Sequence, residues 1–171
     1  LNFNATALLV SATSLCLQQG DWVGGLAQVA TLAAAMNEAP LLFRNLTSLR
    51  PSALQLVLNA TLPVTKAFLN FQLSVVTALT SGALLPVSTY LSAVNFLELV
   101  VSSYNLLDSP SSKQGFSSEE ASMALRCYGN LLSANFNVTG ESVKSNAVSL
   151  SLMKNINTIG YGLCKLLGLY Q

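Results

Sequence analysis

Residues 16–37 read CLQQGDWVGGLAQVATLAAAMN, and this stretch decides the fold class. Gly20 favours the end of one helix, and the Asp21 carboxylate can accept hydrogen bonds from the first free N–H groups of the next. In the second half, apolar residues recur at i, i+3, i+4 and i+7, the period of a helix with one buried face. They are Leu26, Val29, Ala30 and Ala33. A turn this short allows only antiparallel neighbours, so the stretch predicts the corner of a helical hairpin.

Along the rest of the chain, segments with the helical spacing of apolar residues alternate with residues that end a helix. The first helix is expected to run from a cap at Asn4 to Gln19, with Leu15 and Cys16 on its core face. Further helices are predicted over residues 51–59, 64–80, 86–107 and 117–135. A last helix is predicted to begin near Glu141, and Gly160 and Gly162 weaken its continuation toward Leu167. A strand over residues 145–153 is an alternative, because polar and apolar residues alternate there. No convincing strand pair occurs elsewhere, so we predict an all-α bundle of about six to seven helices built from antiparallel helical hairpins.

Charged residues make up 9% of the 171 residues, against about a quarter in an average domain. The net charge is +1, and the few Lys and Arg residues form no run, so nucleic acid is not an expected partner. The length fits one unit, and we expect residues 1–171 to form a single helical domain. Because the chain begins with Leu1 rather than Met, we expect it to be a fragment of a longer, extracellular chain.

Four Asn-x-Thr sequences are candidate sites of N-glycosylation. They begin at Asn4, Asn45, Asn59 and Asn137. N-linked glycans would help a surface with so few charges to stay in solution, and they would place the protein at the cell surface or outside the cell. Some such sequences arise by chance in a chain this rich in Asn, Ser and Thr, so the pattern favours glycosylation without requiring it.

The chain has three cysteines, an odd number, so at least one thiol stays free within the chain. Cys16 falls on the predicted core face of the first helix and is expected to be a buried thiol. Cys127 and Cys164 lie at the flanks of their helical faces, and we predict a disulfide between them. Straight antiparallel helices would leave the two about 16 Å apart. The bridge therefore needs a bend, which Gly160 and Gly162 allow; three free thiols are the alternative.

No set of residues in the sequence fits a common catalytic site. The chain contains no His, the commonest general base and a frequent zinc ligand. Its acidic residues are isolated except for Glu119 and Glu120, whose place at a helix start is typical of capping residues. Ser117 and Glu120 have the spacing of a capping box. We predict a non-enzymatic protein without cofactor or metal. Trp22 is a possible interaction residue, because Trp is enriched at binding hot spots. The alternative is that its side chain covers the end of the hairpin.

An uncharged run over residues 67–97 suggests two other functions. The run is long enough to cross a bilayer, as in an integral membrane helical bundle. Polar residues such as Asn70 and Gln72 interrupt it, and Lys and Arg show no asymmetry that would orient a span. The Leu- and Phe-rich segment between Phe68 and Phe96 suggests instead a secreted carrier of an apolar ligand. The prediction that we favour is a scaffold or interaction domain.

Three stretches resemble the polycystin and receptor-for-egg-jelly family. They are GDWVGGLAQVATLAAAMN (20–37), LLSANFNVTGES (131–142) and IGYGLCKLL (159–167). In that family a helix ends in Gly-Asp and an alanine-rich helix follows. The resemblance implies the helical subdomain that precedes the β-rich, self-cleaving part of a GAIN domain. The family's cleavage tripeptide begins with His, which this chain lacks, so no cleavage activity carries over.

The resemblance also implies a cellular setting. Members of the family are cell-surface receptors, found on cilia or on gametes. The implied partners are the remainder of the protein's own chain or another cell-surface protein, such as a polycystin-type channel subunit. The membrane would be reached only through flanking segments outside this sequence.

Overall fold

The computed structural model describes residues 5–40, 49–60, 65–83, 85–107, 117–135 and 153–160. These residues form helices and turns without any strand. The helices are α1 (Ala5–Gln18), α2 (Trp22–Glu38), α3 (Leu49–Asn59), α4 (Lys66–Thr80), α5 (Val87–Leu107) and α6 (Ser118–Asn135), and residues 153–160 are helical and are called α7. The predicted all-α bundle of six to seven helices is confirmed. Residues 145–152, for which a strand was the alternative, lie outside the described ranges.

The corner between α1 and α2 has the predicted chemistry. Gly20 has φ of +80°, a left-handed conformation that glycine adopts without steric cost. The N–H groups of Gly20 and Asp21 donate to the carbonyls of Leu17 and Cys16, at 3.2 and 2.9 Å. This pair of bonds is the Schellman motif that closes a helix end. Asp21 Oδ1 then accepts from the N–H of Gly24 at 2.9 Å and begins α2.

Helices α1 and α2 pack closely because a glycine lies at their contact. Gly25 is buried, and a Cβ atom at this position would lie 2.8 Å from Leu17 Cδ2. Further along, the Thr13 hydroxyl donates to Gln28 Oε1 at 3.3 Å. The two contacts pair successive residues of α2 with earlier residues of α1, so the helices are antiparallel.

Helix α4 lies at the centre of the described bundle and contacts α2, α3, α5 and α6. It runs parallel to α2: Trp22 packs on Phe68 where both helices begin, and Asn37 donates to the carbonyl of Ala78 where both end. It runs antiparallel to α3, because Arg50 at the start of α3 donates to the carbonyl of Ala78 near the end of α4, whereas Gln72, earlier in α4, donates to the carbonyl of Val57 near the end of α3. Helix α4 thus joins helices that lie on it in opposite directions.

The buried apolar side chains form one cluster around α4. Its largest fully buried members are Tyr90, Tyr128, Leu26, Leu54, Leu73, Leu79, Leu97, Leu131, Ile159 and Val29. They come from α2, α3, α4, α5, α6 and α7. Since burial of one large apolar side chain contributes about 1.5–3 kcal/mol, this cluster is the main source of stability.

The predicted core face of α1 is wrong. Leu15 is 54% exposed, Cys16 is only half-buried, and Thr13 is fully buried instead. The face turns because α1 approaches α2 at Gly25, where Leu17 fits against the missing side chain, and because Gln28 gives the buried Thr13 hydroxyl a partner. The spacing of apolar residues in α1 cannot show either contact, because both involve residues of α2.

Among the described residues, no helix is both long enough and apolar enough to be a candidate membrane span. This includes α4 and α5, which contain most of the uncharged run 67–97.

Candidate functional site

One of the four predicted glycosylation sites falls in the described residues. Asn59 is the last residue of α3 and is exposed. Its Oδ1 accepts from Gln55 Nε2, one helical turn earlier, at 2.9 Å. A glycan is attached through the amide nitrogen, so this hydrogen bond and a glycan are compatible. Asn4, Asn45 and Asn137 lie outside the described residues.

Trp22 makes an intramolecular contact at the hairpin corner. Its ring meets the ring of Phe68 edge to face, with centroids 6.0 Å apart and an interplanar angle of 86°. Such aromatic pairs contribute about 0.5–1.5 kcal/mol beyond the area that they bury. Trp22 therefore joins the start of α2 to the start of α4. It keeps part of its surface accessible, and the neighbouring Val23 is 58% exposed.

The two cysteines that the structure describes differ from the predictions made for them: the buried thiol is Cys127, and Cys16 is partly accessible. Cys127 is a free thiol and is fully buried. Cys16 is also free and is partly accessible, with its sulfur accepting from Gln28 Nε2 at 3.5 Å. The predicted Cys127–Cys164 disulfide is not formed in this structure, and Cys164 lies outside the described residues. Cys127 lies on the side of α6 that packs against Thr80 of α4, and not at the edge of the buried face where the bridge was predicted.

The environment of Cys127 makes its thiol inert. Burial raises its pKa to about 11, and contacts with the hydroxyls of Thr80 and Thr77 offset only part of that effect. The Thr80 Oγ1 atom lies 3.9 Å from the sulfur. Since the thiolate is the nucleophilic form, Cys127 is a core residue and not a catalytic one.

A polar seam joins the start of α6 to α4. The capping box is confirmed: the N–H of Ser117 donates to Glu120 Oε2 at 2.8 Å, and the N–H of Glu120 donates to Ser117 Oγ at 3.2 Å. The same carboxylate accepts from Asn70 Nδ2 at 2.8 Å and pairs with Lys66 Nζ at 3.3 Å. Glu120 is only 5% exposed, so these contacts replace its hydration.

The pKa of Glu120 reflects two opposing effects. Burial raises it, whereas the hydrogen bonds from Asn70, from the Ser117 backbone and from Lys66, together with the positive charge of Lys66, lower it. The net direction is downward, so the carboxylate stays ionised in the folded protein. Sequence reasoning identified the cap but missed its role between helices, because Lys66 and Asn70 are distant in the chain.

The polar seam continues towards the other end of α4. Asn130 Nδ2 donates to the carbonyl of Thr77 at 2.9 Å and lies 3.3 Å from Thr80 Oγ1. Asn70 and Asn130 thus lie at successive points of one parallel contact between α4 and α6. We call the side chains of Lys66, Asn70, Thr77, Thr80, Glu120 and Asn130 the α4–α6 seam.

The carbonyls at the end of α4 are bound by a guanidinium from α3. Arg50 Nη1 donates to the carbonyls of Ala78, Leu79 and Ser81 at 3.1–3.3 Å. Arg50 Nη2 donates to Asn37 Oδ1 at 2.9 Å. Burial lowers the pKa of Arg50, but guanidinium remains charged at neutral pH. No basic residue of α4 itself lies in its last turn, so Arg50 supplies the positive charge that a helix C-terminus favours.

The described residues contain no cluster of metal-binding side chains. No three of their Cys, Asp and Glu side chains lie close enough to hold a metal ion. An open depression on the outer face of α6 is lined by Ser118, Ala121, Ser122, Leu125 and Arg126. Two hydroxyls and one guanidinium without a base among them give no activated nucleophile.

Searches against known protein families, curated proteins and solved structures found no match. The resemblance to the polycystin and receptor-for-egg-jelly family therefore stays a prediction from the three quoted stretches.

Proposed function

We propose that this chain is a non-enzymatic extracellular helical module of a polycystin-like cell-surface receptor or channel-associated protein, where it acts as a scaffold or interaction domain. The all-α bundle agrees with the helical subdomain implied by the family resemblance. The low charge and the absence of His from the sequence agree with a structural role. The single observation that carries the extracellular part is the exposed acceptor Asn59.

The outer face of α5 supports the interaction part of the proposal. Ser88, Leu91, Asn95, Leu99 and Ser102 are all exposed and recur at helical spacing, and none carries a charge. Leu99 is 67% exposed. Depletion of charged residues is typical of the centre of a protein interface. A scaffold would cover this face with the remainder of its own chain or with another cell-surface protein.

Mass spectrometry of the protein from a eukaryotic secretory host tests the extracellular assignment. We expect an N-linked glycan on Asn59 that peptide-N-glycosidase removes. Thr61→Ala should abolish this glycan while leaving Asn59 and Gln55 unchanged, and Thr61→Ser is the matched control that retains the acceptor sequence. Native protein with Asn4, Asn45, Asn59 and Asn137 all unmodified would contradict the extracellular assignment.

Peptide sequencing of the native full-length polypeptide tests the family assignment separately. The proposal expects a β-rich segment after this module, followed by membrane spans. A glycosylated protein without these segments would keep the extracellular assignment and reject the polycystin-like one.

A further inference from the structure

The six helices from α1 to α6 are arranged as three consecutive pairs. We call α1–α2 the first pair, α3–α4 the middle pair and α5–α6 the last pair. Each helix contacts its partner in the pair, and α1, α3 and α5 contact one another in sequence, as do α2, α4 and α6. In the described residues, no Cα atom of the first pair lies within 8 Å of a Cα atom of the last pair. The described contacts between the two ends therefore pass through the middle pair.

This arrangement is that of a repeat protein, in which each structural unit contacts only its neighbours. The stability of such a protein is approximately a sum of contributions from single units and from the interfaces between neighbours, so a unit at one end can open without the unit at the other. In a closed four-helix bundle, by contrast, all helices surround one shared core. The strength of the two interfaces with the middle pair then decides which end opens first.

The two interfaces with the middle pair differ in how far their polar bonds are shielded from water. At the last pair, the bonds that Asn70 makes with Glu120, and Asn130 with the carbonyl of Thr77, are partly buried. At the first pair, the bonds of Asn37 with the carbonyl of Ala78 and with Arg50 are exposed, so water competes for the same groups. Helix α1 adds little, because it contacts only α2 and α3. The first pair is therefore the end that is held less firmly.

We propose that the first pair is a separately opening unit: α1 and α2 detach together from the middle pair while α3, α4, α5 and α6 stay folded. The two helices leave together because Gln28 of α2 bonds to Thr13 and Cys16 of α1. Opening uncovers the apolar face that α2 buries in the core, which consists of Leu26, Val29, Ala33 and Met36. The protein thus exposes a new apolar surface while the α4–α6 seam stays intact.

Peptide-resolved hydrogen exchange on the intact chain at increasing urea concentration tests the proposal. We expect amides of α1 and α2 to exchange through an opening that depends less on urea than the opening of α4 and α6, because it exposes less surface. If amides of α1 and α2 had the same urea dependence as those of α4 and α6, the four helices would open only together, and the proposal would be overturned.

Matched substitutions of two fully buried leucines give an independent readout in the same experiment. Leu26→Ala in α2 should speed the exchange of α1 and α2 by the same factor, about thirtyfold or more. Leu131→Ala in α6 should speed the exchange of α6 by a similar factor and leave that of α1 and α2 unchanged, because the first pair opens without unfolding α6.

Two results of these substitutions would overturn the proposal. One is equal acceleration of α2 and α6 by Leu131→Ala, which would show that the first and last pairs open only together. The other is acceleration of α2 without α1 by Leu26→Ala, which would show that the two helices do not detach as one unit. If Leu131→Ala does not fold, Glu120→Ala takes its place in α6, and the exchange of α1 and α2 decides in the same way.

Discussion

The contact between α4 and α6 differs from the contact between α1 and α2 in the groups that hold the helices together. In the first, the Glu120 carboxylate receives bonds from Asn70, Lys66 and the Ser117 backbone, and Asn130 donates to α4. In the second, Leu17 lies against Gly25, and the Gln28 side chain bonds to Thr13 and Cys16. The first contact fixes one geometry through several buried directional bonds, whereas the second depends on close approach at a glycine.

This difference follows from the cost of burying polar groups. A buried carboxylate without partners would destabilise the fold by several kcal/mol, so α6 can pack on α4 only in the register that supplies those partners. A contact at a glycine, such as that of α1 with α2, is limited by shape and leaves no buried charge to satisfy. The α4–α6 seam therefore fixes the register of α6 on α4.

The largest expected effect comes from removing the centre of the seam. Glu120→Ala should lower the free energy of unfolding by about 2–3 kcal/mol, because it removes the capping box and leaves the Asn70 amide without its acceptor. Urea denaturation measures this change. The adjacent Glu119→Ala is the matched control, since Glu119 is exposed, and should change stability by less than about 0.5 kcal/mol. Equal losses of stability from the two substitutions would contradict the claim that the contacts of Glu120 stabilise the α4–α6 seam.

The next effect concerns the opposite end of α4. Arg50→Ala should cost about 2 kcal/mol, because three carbonyls at the end of α4 and the Asn37 amide lose a charged donor. Arg126→Ala, an exposed change on the outer face of α6, is the control and should be nearly neutral. Thermal unfolding monitored by circular dichroism separates the two. A loss for Arg50→Ala no larger than for the control would show that water replaces the guanidinium without cost.

A glycine pair tests the close approach of α1 and α2. Gly129→Ala should stabilise the protein by about 0.5–1 kcal/mol, because this position of α6 is exposed and nothing lies within 4 Å of the new atom. Gly25→Ala gains the same helix propensity, but its new Cβ meets the Leu17 side chain across the α1–α2 contact, so it should be less favourable than Gly129→Ala by about 1 kcal/mol or more. Equilibrium unfolding measures both changes. Equal stabilisation at the two positions would contradict the described packing.

The smallest effect is expected from pH. The folded pKa of Glu120 is depressed, so its contribution to stability is present above the unfolded pKa of about 4.3 and is lost as pH falls through the folded value. Urea midpoints measured between about pH 6 and pH 3 should therefore fall less steeply for Glu120→Gln than for the unchanged protein. Parallel curves for the two proteins would show that Glu120 does not contribute to the acid dependence.

Local signals in the sequence predicted the helices well. The Gly20 stop and the Asp21 cap each act within a few residues, and so does the Ser117–Glu120 box, so the chain itself contains everything needed to infer them. The α1 face was predicted wrongly because Leu15 and Cys16 have helical spacing, while the packing there is set by Gly25 of another helix. Spacing identifies a helix more reliably than it identifies the side that is buried.

The polar contacts between helices were beyond sequence reasoning. Asn70 and Glu120 are 50 residues apart in the chain, and Arg50 is 28 residues from the first carbonyl that it binds. Nothing in either neighbourhood indicates the partner. Cys127 shows the same limit: its place on the flank of a predicted face suggested a disulfide, and only the parallel packing of α6 on α4 shows that it is buried against Thr80.

Peptide-resolved hydrogen exchange on the intact chain tests the central claim, that α4 and α6 form one stable unit. We predict that amides of residues 66–80 and 118–135 share the slowest exchange and respond equally to Glu120→Ala. Separate exchange of α4 and α6 in the unchanged protein, or a response to Glu120→Ala in only one of them, would contradict the claim.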